Sequence, residues 1–435
     1  MNKKTPKLAS IISLGCSKNL VDSEQLLFQL QAAGYSIKHN TDQAEGGVVI
    51  INTCGFIQDA KEESIEVILQ YAAARKRGKI SKLIVMGCLS ERYMNDLEAE
   101  IPEVDAYFGK FNWQNILNEL GEEYREADKN QRILTTPPHY AYIKISEGCN
   151  RRCSFCAIPL ITGRHRSRSI EDITLEIKDL TLKGVKEFQL IAQDLSYYGK
   201  DLYKENKLAE LIETIADIPG VEWLRLHYTY PRNFPLDILP VIRERNNVCK
   251  YLDMALQHCS DGVLQKMQRG IDHRSTLALI EGIRKEVPGI HLRTTLMVGH
   301  PGETEADFEA LKQFVRELRF ERMGAFAYSD EEGTYANRHY TDDVPQEIKQ
   351  ARLDELMSIQ QEIAASLNQK KIGQVHKVII DREEAEYYIA RTQFDSPEVD
   401  PEVFIDKTQV LTIGEFYQAR IYDAGMYDLY GKIQA

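Results

Sequence analysis

Read for hydrophobic and polar positions alone, the chain divides into three texts. From residue 8 to 120, short apolar runs alternate with longer amphipathic ones. LASIISL, GGVVIINT and KLIVMG are rich in Ile and Val and read as buried parallel strands. Between them, SEQLLFQLQAAGY predicts a helix with Asp22 and Ser23 as candidate caps and a stop near Gly34. DAKEESIEVILQYAAARKRG begins acidic and ends basic, as a helix dipole favours. This alternation predicts an open parallel α/β sheet.

From about 138 to 345 the alternation lengthens. YAYIKIS, EFQLIA, VEWLRLHY, YLDMAL, GIHLRTTLMV and RMGAFAY read as strands, separated by amphipathic stretches such as IEDITLEIKDLTLKG and RSTLALIEGIRKEV. Six such βα units predict a partial or full parallel βα barrel, with a doubly wound sheet as the alternative. After Pro345, the positions Ile348, Arg352, Leu356, Ile359, Ile363 and Leu367 keep three- and four-residue spacing. They predict one connecting helix, ended by Gly373. Beyond it, VHKVIID, YYIARTQ, EVFID, EFYQARIYDA and YDLYGKI are short strands with turn residues between them, the pattern of a small antiparallel β-barrel. The expected division is 1–130 for the α/β sheet, 135–345 for the βα barrel, 346–370 for the connecting helix and 371–435 for the β-barrel.

Composition narrows the class. The chain has 435 residues, 43% of them apolar, which suits several domains with real cores and excludes a disordered chain. A net charge of −12 argues against a protein that coats nucleic acid by bulk charge. No window is apolar enough for a membrane span. The start, MNKKTPKLASIISLGCS, has the form of a lipoprotein signal, but Ala9, Ser10 and Ser13 interrupt its apolar run. It reads better as a strand, and the protein as cytoplasmic with reduced thiols. Eight cysteines are too few for a disulfide scaffold.

The cysteines carry the chemistry. Cys149, Cys153 and Cys156 form a C-x3-C-x2-C triplet after the first strand of the barrel region, where a barrel places its active site. Three thiolates at this spacing can hold three corners of a [4Fe–4S] cube and leave one iron open. A zinc site completed by His139 or His165 is the alternative reading. A second set emerges only from the whole first domain. Cys16, Cys54 and Cys88 each lie just past a predicted parallel strand. In an open α/β sheet those ends share one edge, so the three converge as a second three-thiolate site. Cys249 and Cys259 have no motif spacing and read as packing residues. Arg151, Arg152, Arg164, Arg166 and Arg168 flank the triplet and could orient a carboxylate. Gln193 and Asp194 end the second barrel strand, where polar groups would reach a cofactor.

The triplet resembles that of the radical S-adenosylmethionine superfamily. The resemblance implies S-adenosylmethionine chelating the open iron and being cleaved to a 5′-deoxyadenosyl radical. The whole arrangement, with Gly15–Glu24 (GCSKNLVDSE), Asn52–Phe56 (NTCGF), EGCNRRCSFCAIP, GRHRSRS, QDLSYYG, QHCSDGVLQKMQRG and VGHPGETE, is similar to the methylthiotransferases. Their architecture is a three-cysteine domain, a radical barrel and a C-terminal TRAM β-barrel. The resemblance implies two [4Fe–4S] clusters, on Cys16, Cys54 and Cys88 and on Cys149, Cys153 and Cys156, and an electron donor such as flavodoxin or ferredoxin.

GCSKNLVDSE and RTQFDSPEVDPEVFI resemble the branch that modifies an aspartate of small-subunit ribosomal protein twelve. The related enzymes that act on tRNA adenosine are the alternative, and a non-catalytic cluster or zinc protein that senses redox state is a second. Residues 371–435 carry seven Lys/Arg against twelve Asp/Glu. That acidic balance suits a basic protein partner and makes nucleic acid an unlikely direct substrate. Glu383, Glu384, Glu386, Asp395, Glu398, Asp400 and Glu402 are the expected acidic docking residues.

Overall fold

The computed structural model describes residues 7–41, 46–110 and 112–434, which fold as two compact units. The first runs to Thr136 and adds Glu147–Arg151 and Cys156–His165; the second holds the remainder. The basic start of the signal-like segment, residues 1–6, lies outside the described residues, and Leu8 to Ser13 belong to a strand.

The first unit is built on β1 (Lys7–Ser13), β2 (Tyr35–His39), β3 (Val48–Thr53), β4 (Lys82–Gly87) and β5 (Ala106–Tyr107). They form an all-parallel sheet in the order β2-β1-β3-β4-β5. Alternate residues serve two cores. Val49, Ile51, Leu83 and Val85 meet Ile68, Tyr71 and Ala72 of the helix Gln58–Lys76. Ile11, Ile50, Ile84 and Met86 meet Leu26, Leu27 and Leu30 of the helix Ser17–Ala32. A strand covered on both faces must be apolar throughout, hence VVIINT and KLIVMG. The helix Ser17–Ala32 starts six residues before the expected caps, with Cys16 at its N-cap. Asp22 and Ser23 are buried inside it because both have distant partners, Lys110 and Asn52.

The second unit opens with β6 (Tyr140–Lys144). After the two-residue strands β7 (Ser146–Glu147) and β8 (Arg166–Ser167) come β9 (Glu187–Ile191), β10 (Trp223–Thr229), β11 (Val248–Met254), β12 (His291–Val298) and β13 (Arg322–Ala327). Strands β6 and β9–β13 make one parallel sheet in the order β13-β12-β11-β10-β9-β6. β6 and β13 are its edges, so the barrel is partial. β11 begins three residues ahead of the predicted YLDMAL, and Cys249 on it packs with Trp223 and Tyr251. The connecting helix is Gln346–Gln369, with Arg352, Leu356, Ile359 and Ile363 buried and Ile348 exposed.

The C-terminal strands are β14 (Val375–Glu383), β15 (Tyr387–Thr392), β16 (Val403–Asp406), β17 (Phe416–Ala424) and β18 (Leu429–Ile433), closed as a five-stranded barrel. Its pairings are antiparallel except β16 with β18, which run parallel.

One loop of this barrel organises the parallel sheet. Arg391 binds Glu187 on β9 at 2.7 and 3.1 Å. The Gln393 carbonyl accepts from Arg225 on β10 at 2.6 Å. Phe394 stacks on His291 of β12 with centroids 3.9 Å apart. Asp395 pairs with Arg322 of β13. Glu398 accepts from Tyr140 and Tyr142 of β6 at 3.0 and 3.1 Å. Asp400 accepts from Tyr251 of β11 at 2.7 Å and from Arg293 of β12 at 2.6 Å. All six strands are met by the stretch from Arg391 to Asp400. A flat sheet of six strands would hold its edges about 24 Å apart. Contact with both edges therefore requires the sheet to curl around the loop.

This corrects the acidic docking surface. Asp395 and Asp400 are buried partners of barrel arginines. Glu398 is exposed but engaged by the two β6 tyrosines. Glu383 pairs with Lys407, and Glu384 and Glu402 with Arg382. Charge counted along a sequence cannot tell a solvated carboxylate from one whose partner lies in another domain.

Candidate functional site: two sets of three cysteines

In the first unit the register aligns the strand ends. Ser13 pairs with Asn52, and Thr53 with Gly87, so Cys54 and Cys88 follow directly paired positions. Cys16 is exposed; Cys54 and Cys88 are buried. Two glycines allow the three loops to touch. A Cβ on Gly15, which sits at φ +83°, would lie 2.6 Å from the Cys54 Cβ and 2.7 Å from its Sγ. A Cβ on Gly55 would lie 2.7 Å from the Leu89 backbone and 2.9 Å from that of Cys88. Side chains at either place would push the cysteines apart.

Polar side chains then lash the loops together. Asn19, three residues after Cys16, donates to the carbonyls of Leu14 (3.1 Å) and Thr53 (2.9 Å) and accepts from the Cys88 thiol (3.6 Å). Asn52 donates back to the Asn19 carbonyl and to Ser23. Ser64 donates to the Cys54 carbonyl and accepts from its amide.

A buried cation lies in this neighbourhood. Lys110 is 2% exposed and meets Glu147 at 3.2 Å and Asp22 at 3.9 Å. Burial disfavours its charge, but the two carboxylates outweigh burial and keep it an ammonium. Burial pushes the Cys88 thiol up to about 12, and Lys110 opposes that rise. Burial raises the Cys54 thiol too, against the amides of Phe56 and Gly55. Negative charge on Cys16 would raise both further. Any metal taken up here must displace protons from Cys54 and Cys88.

Cys149 and Cys156 belong to the first unit and Cys153 to the second. The Cys149 amide donates to the Gly163 carbonyl at 3.1 Å, and its sulfur accepts from the Arg151 amide at 3.4 Å. Ala157, next to Cys156, and Ile161 form a small apolar cluster with Cys88. In the second unit the Cys153 sulfur meets Arg269 Nη1 at 3.2 Å and the Tyr230 hydroxyl at 3.5 Å. Arg269 is buried and lies over the Tyr230 ring, 4.0 Å from its centroid.

The other expected site residues separate. Arg164 and Arg166 are exposed. Arg168 is committed to Asp172 and Glu176. Asp194 is buried and caps the turn Leu195–Tyr197 by accepting from the Ser196 amide at 2.9 Å; Gln193 beside it is half-buried. His139 is bound to Asp381 at 2.8 Å, at the opposite end of β6 from the cysteine loop, so it does not complete a zinc site there. Cys259 is buried.

Sequence reading missed Asn19, Lys110, Tyr230 and Arg269. Asn19 and Arg269 stand inside the motifs GCSKNLVDSE and QHCSDGVLQKMQRG, but their partners lie 69 and 116 residues away. Lys110 and Tyr230 carried no local signal. Among the described residues, no three His, Cys, Asp or Glu side chains are gathered into a metal-binding group. The donor chemistry nevertheless fits iron–sulfur ligation, since each set offers three free cysteines. No described helix is long and apolar enough to cross a membrane.

Comparison with known proteins gives three family matches in chain order. Residues 9–109 match an uncharacterized protein family, UPF0004; residues 143–315 match the radical SAM superfamily; residues 372–433 match the TRAM domain. Among solved structures, the radical S-adenosylmethionine methyltransferase TsrM from Kitasatospora setae superposes with a TM-score of 0.53 at 14% identity. It covers 74% of this chain and 75% of its own, a likeness of fold. Relatives named ribosomal protein uS12 methylthiotransferase RimO are much nearer. That of Bacteroides thetaiotaomicron is 63% identical, covering 98% of both chains. That of Porphyromonas gingivalis is 59% identical, covering 97% of this chain and 98% of its own. Identity at this level over nearly the whole chain means that the chain belongs to the RimO family of ribosomal protein uS12 methylthiotransferases.

Proposed function

We propose that this protein replaces a hydrogen on the β-carbon of an aspartate side chain of uS12 with a methylthio group. The observation that carries the reading is the near-full-length identity to enzymes named for uS12 methylthiolation. The target carbon has no acidic proton, so a base cannot activate it and a radical is required. When bound, a cluster on Cys149, Cys153 and Cys156 supplies the electron that cleaves S-adenosylmethionine, and one on Cys16, Cys54 and Cys88 supplies the site that carries sulfur.

The chain's own residues set the conditions. Arg269 donates to the Cys153 sulfur and holds it in place. Lys110 places fixed positive charge beside Cys88. Asn19 and the close approaches at Gly15 and Gly55 hold the three loops of the first set together. Arg164, Arg166, Gln193 and Asp194 are the candidates for contact with the cofactor, the exposed arginines also for the substrate carboxylate. In this reading residues 1–130 carry the sulfur site, 135–345 the radical site, and 346–370 join them to the barrel at 371–435. The electron donor is a flavodoxin or ferredoxin.

The test is anaerobic reconstitution. About eight irons per chain are expected for two cubes, together with reductive cleavage of S-adenosylmethionine. Offered uS12 and tRNA separately, the enzyme should methylthiolate the protein, read by mass spectrometry of both. Methylthiolated adenosine with unmodified uS12 would move the tRNA reading to first place. One zinc and no cleavage would favour the redox sensor.

A further inference from the structure

The loop from Arg391 to Asp400 touches every strand of the parallel sheet from inside its curl. The groups it meets are the inward-facing residues of those strands: Tyr140 and Tyr142, Glu187, Arg225, Tyr251, His291 and Arg293, and Arg322. Within it, Glu398 stands apart. It has a left-handed backbone, φ +68°, which a glutamate adopts only when its surroundings demand it. It is exposed, yet each carboxylate oxygen takes a hydroxyl from a different, buried β6 tyrosine. β6 is the strand whose C-terminal residue, Lys144, lies five residues before Cys149.

We propose that Glu398 is a positioning residue for the radical chemistry: by holding two successive inward tyrosines of β6, the C-terminal barrel fixes the strand that presents the cysteine loop. The barrel is then a working part of the catalytic fold as well as a module for partner recognition. β6 is an edge strand with a sheet neighbour on one side only, β9. Glu398 supplies a tether that an internal strand would have from a second neighbour. Arg391 also lies over the Tyr140 ring, 5.5 Å from its centroid, and Arg168 donates to the Lys144 carbonyl at 2.9 Å, but Glu398 is the group that takes the hydroxyls of both tyrosines.

The test uses the full-length, reconstituted enzyme and three variants. Glu398→Ala removes both acceptors. Glu398→Gln restores both bonds, one as acceptor and one as donor to a tyrosine oxygen. Asp423→Ala, an exposed acid of the same barrel, is the control. Hydrogen exchange at the Tyr140–Lys144 amides should quicken roughly tenfold or more in Glu398→Ala, as loss of hydrogen bonds to a charged acceptor implies. β12 and β13 should exchange as before. Cleavage of S-adenosylmethionine without any substrate should fall several-fold, with Glu398→Gln close to wild type and Asp423→Ala unchanged. The cleavage arm rests on the function proposed above; the exchange arm does not, so failure of the inference is distinguishable from failure of that reading. Wild-type exchange in β6 of Glu398→Ala would overturn the proposal. So would normal substrate-free cleavage combined with weaker uS12 binding, which would make Glu398 a docking residue only.

Discussion

Replacing Glu187 with leucine should unfold the second unit far more easily than its single position on a strand suggests. Glu187 is fully buried at the first residue of β9. Its carboxylate accepts from Arg391 at 2.7 and 3.1 Å, from Arg225 at 3.1 and 3.3 Å, and from Gln189 at 2.5 Å. Burial alone would push this carboxyl toward its neutral form; the two guanidiniums hold it below the usual range. Arg225 and Arg391 are themselves fully or nearly fully buried, so leucine leaves guanidinium charge stranded away from water. Removing one partner of a buried pair costs about 3–5 kcal/mol. For a unit of this size that is a fall in Tm of about 10 °C. The assay is urea unfolding followed by Trp223, which packs edge-on to Phe416 of the C-terminal barrel at 4.8 Å, in a Trp113→Phe background. Glu187→Gln, which keeps the shape and loses the charge, should fall between wild type and leucine. A loss below about 1 kcal/mol in Glu187→Leu, the range of an exposed ion pair, would refute the view that barrel and sheet share one charged core.

Three further outcomes follow from the geometry. Gly15→Ala drives a methyl into Cys54 and should lower iron at the first cysteine set while leaving cleavage of S-adenosylmethionine intact; full iron content would show that the loops can part without cost. Arg269→Ala removes the donor to the Cys153 sulfur and should lower iron at the second cysteine set and slow cleavage of S-adenosylmethionine; wild-type iron content and cleavage would remove Arg269 from the site. Burial alone would raise the Asp381 carboxyl, but Arg391 and His139 hold it down to about 2 from an ordinary 3.8. A depressed carboxyl contributes stability above its ordinary value and loses it as pH falls toward the folded one. Unfolding free energy should therefore drop between about pH 4 and 2, and Asp381→Asn should flatten that slope; an identical slope in both proteins would contradict the assignment.

Strand-end chemistry was legible because it is periodic and local. Short Ile/Val runs marked the strands, and a cysteine just past each of three runs predicted a shared edge; the register pairs Ser13 with Asn52 and Thr53 with Gly87 at the ends of those strands. The C-x3-C-x2-C triplet after β6 needed no three-dimensional knowledge. What escaped was long-range electrostatics. Asp22 and Ser23 look like helix caps, yet their partners are Lys110 and Asn52. Asp395 and Asp400 look like surface acid, yet Arg322 and Arg293 wait 73 and 107 residues upstream. Whether the βα barrel is partial or full stayed open in the sequence because closure depends on which edge strands pair, and β6 and β13 do not.

The central claim is that the first cysteine set delivers sulfur and the second makes the radical, on uS12. It is tested most directly in a strain lacking the gene, complemented with wild type or with Cys16, Cys54 and Cys88 all changed to alanine. Mass spectrometry of uS12 should find one methylthio group in place of one hydrogen with wild type and none with the variant. The purified variant should still form 5′-deoxyadenosine. Methylthiolated uS12 from the triple variant, or unmodified uS12 from the wild-type complement, would contradict the account.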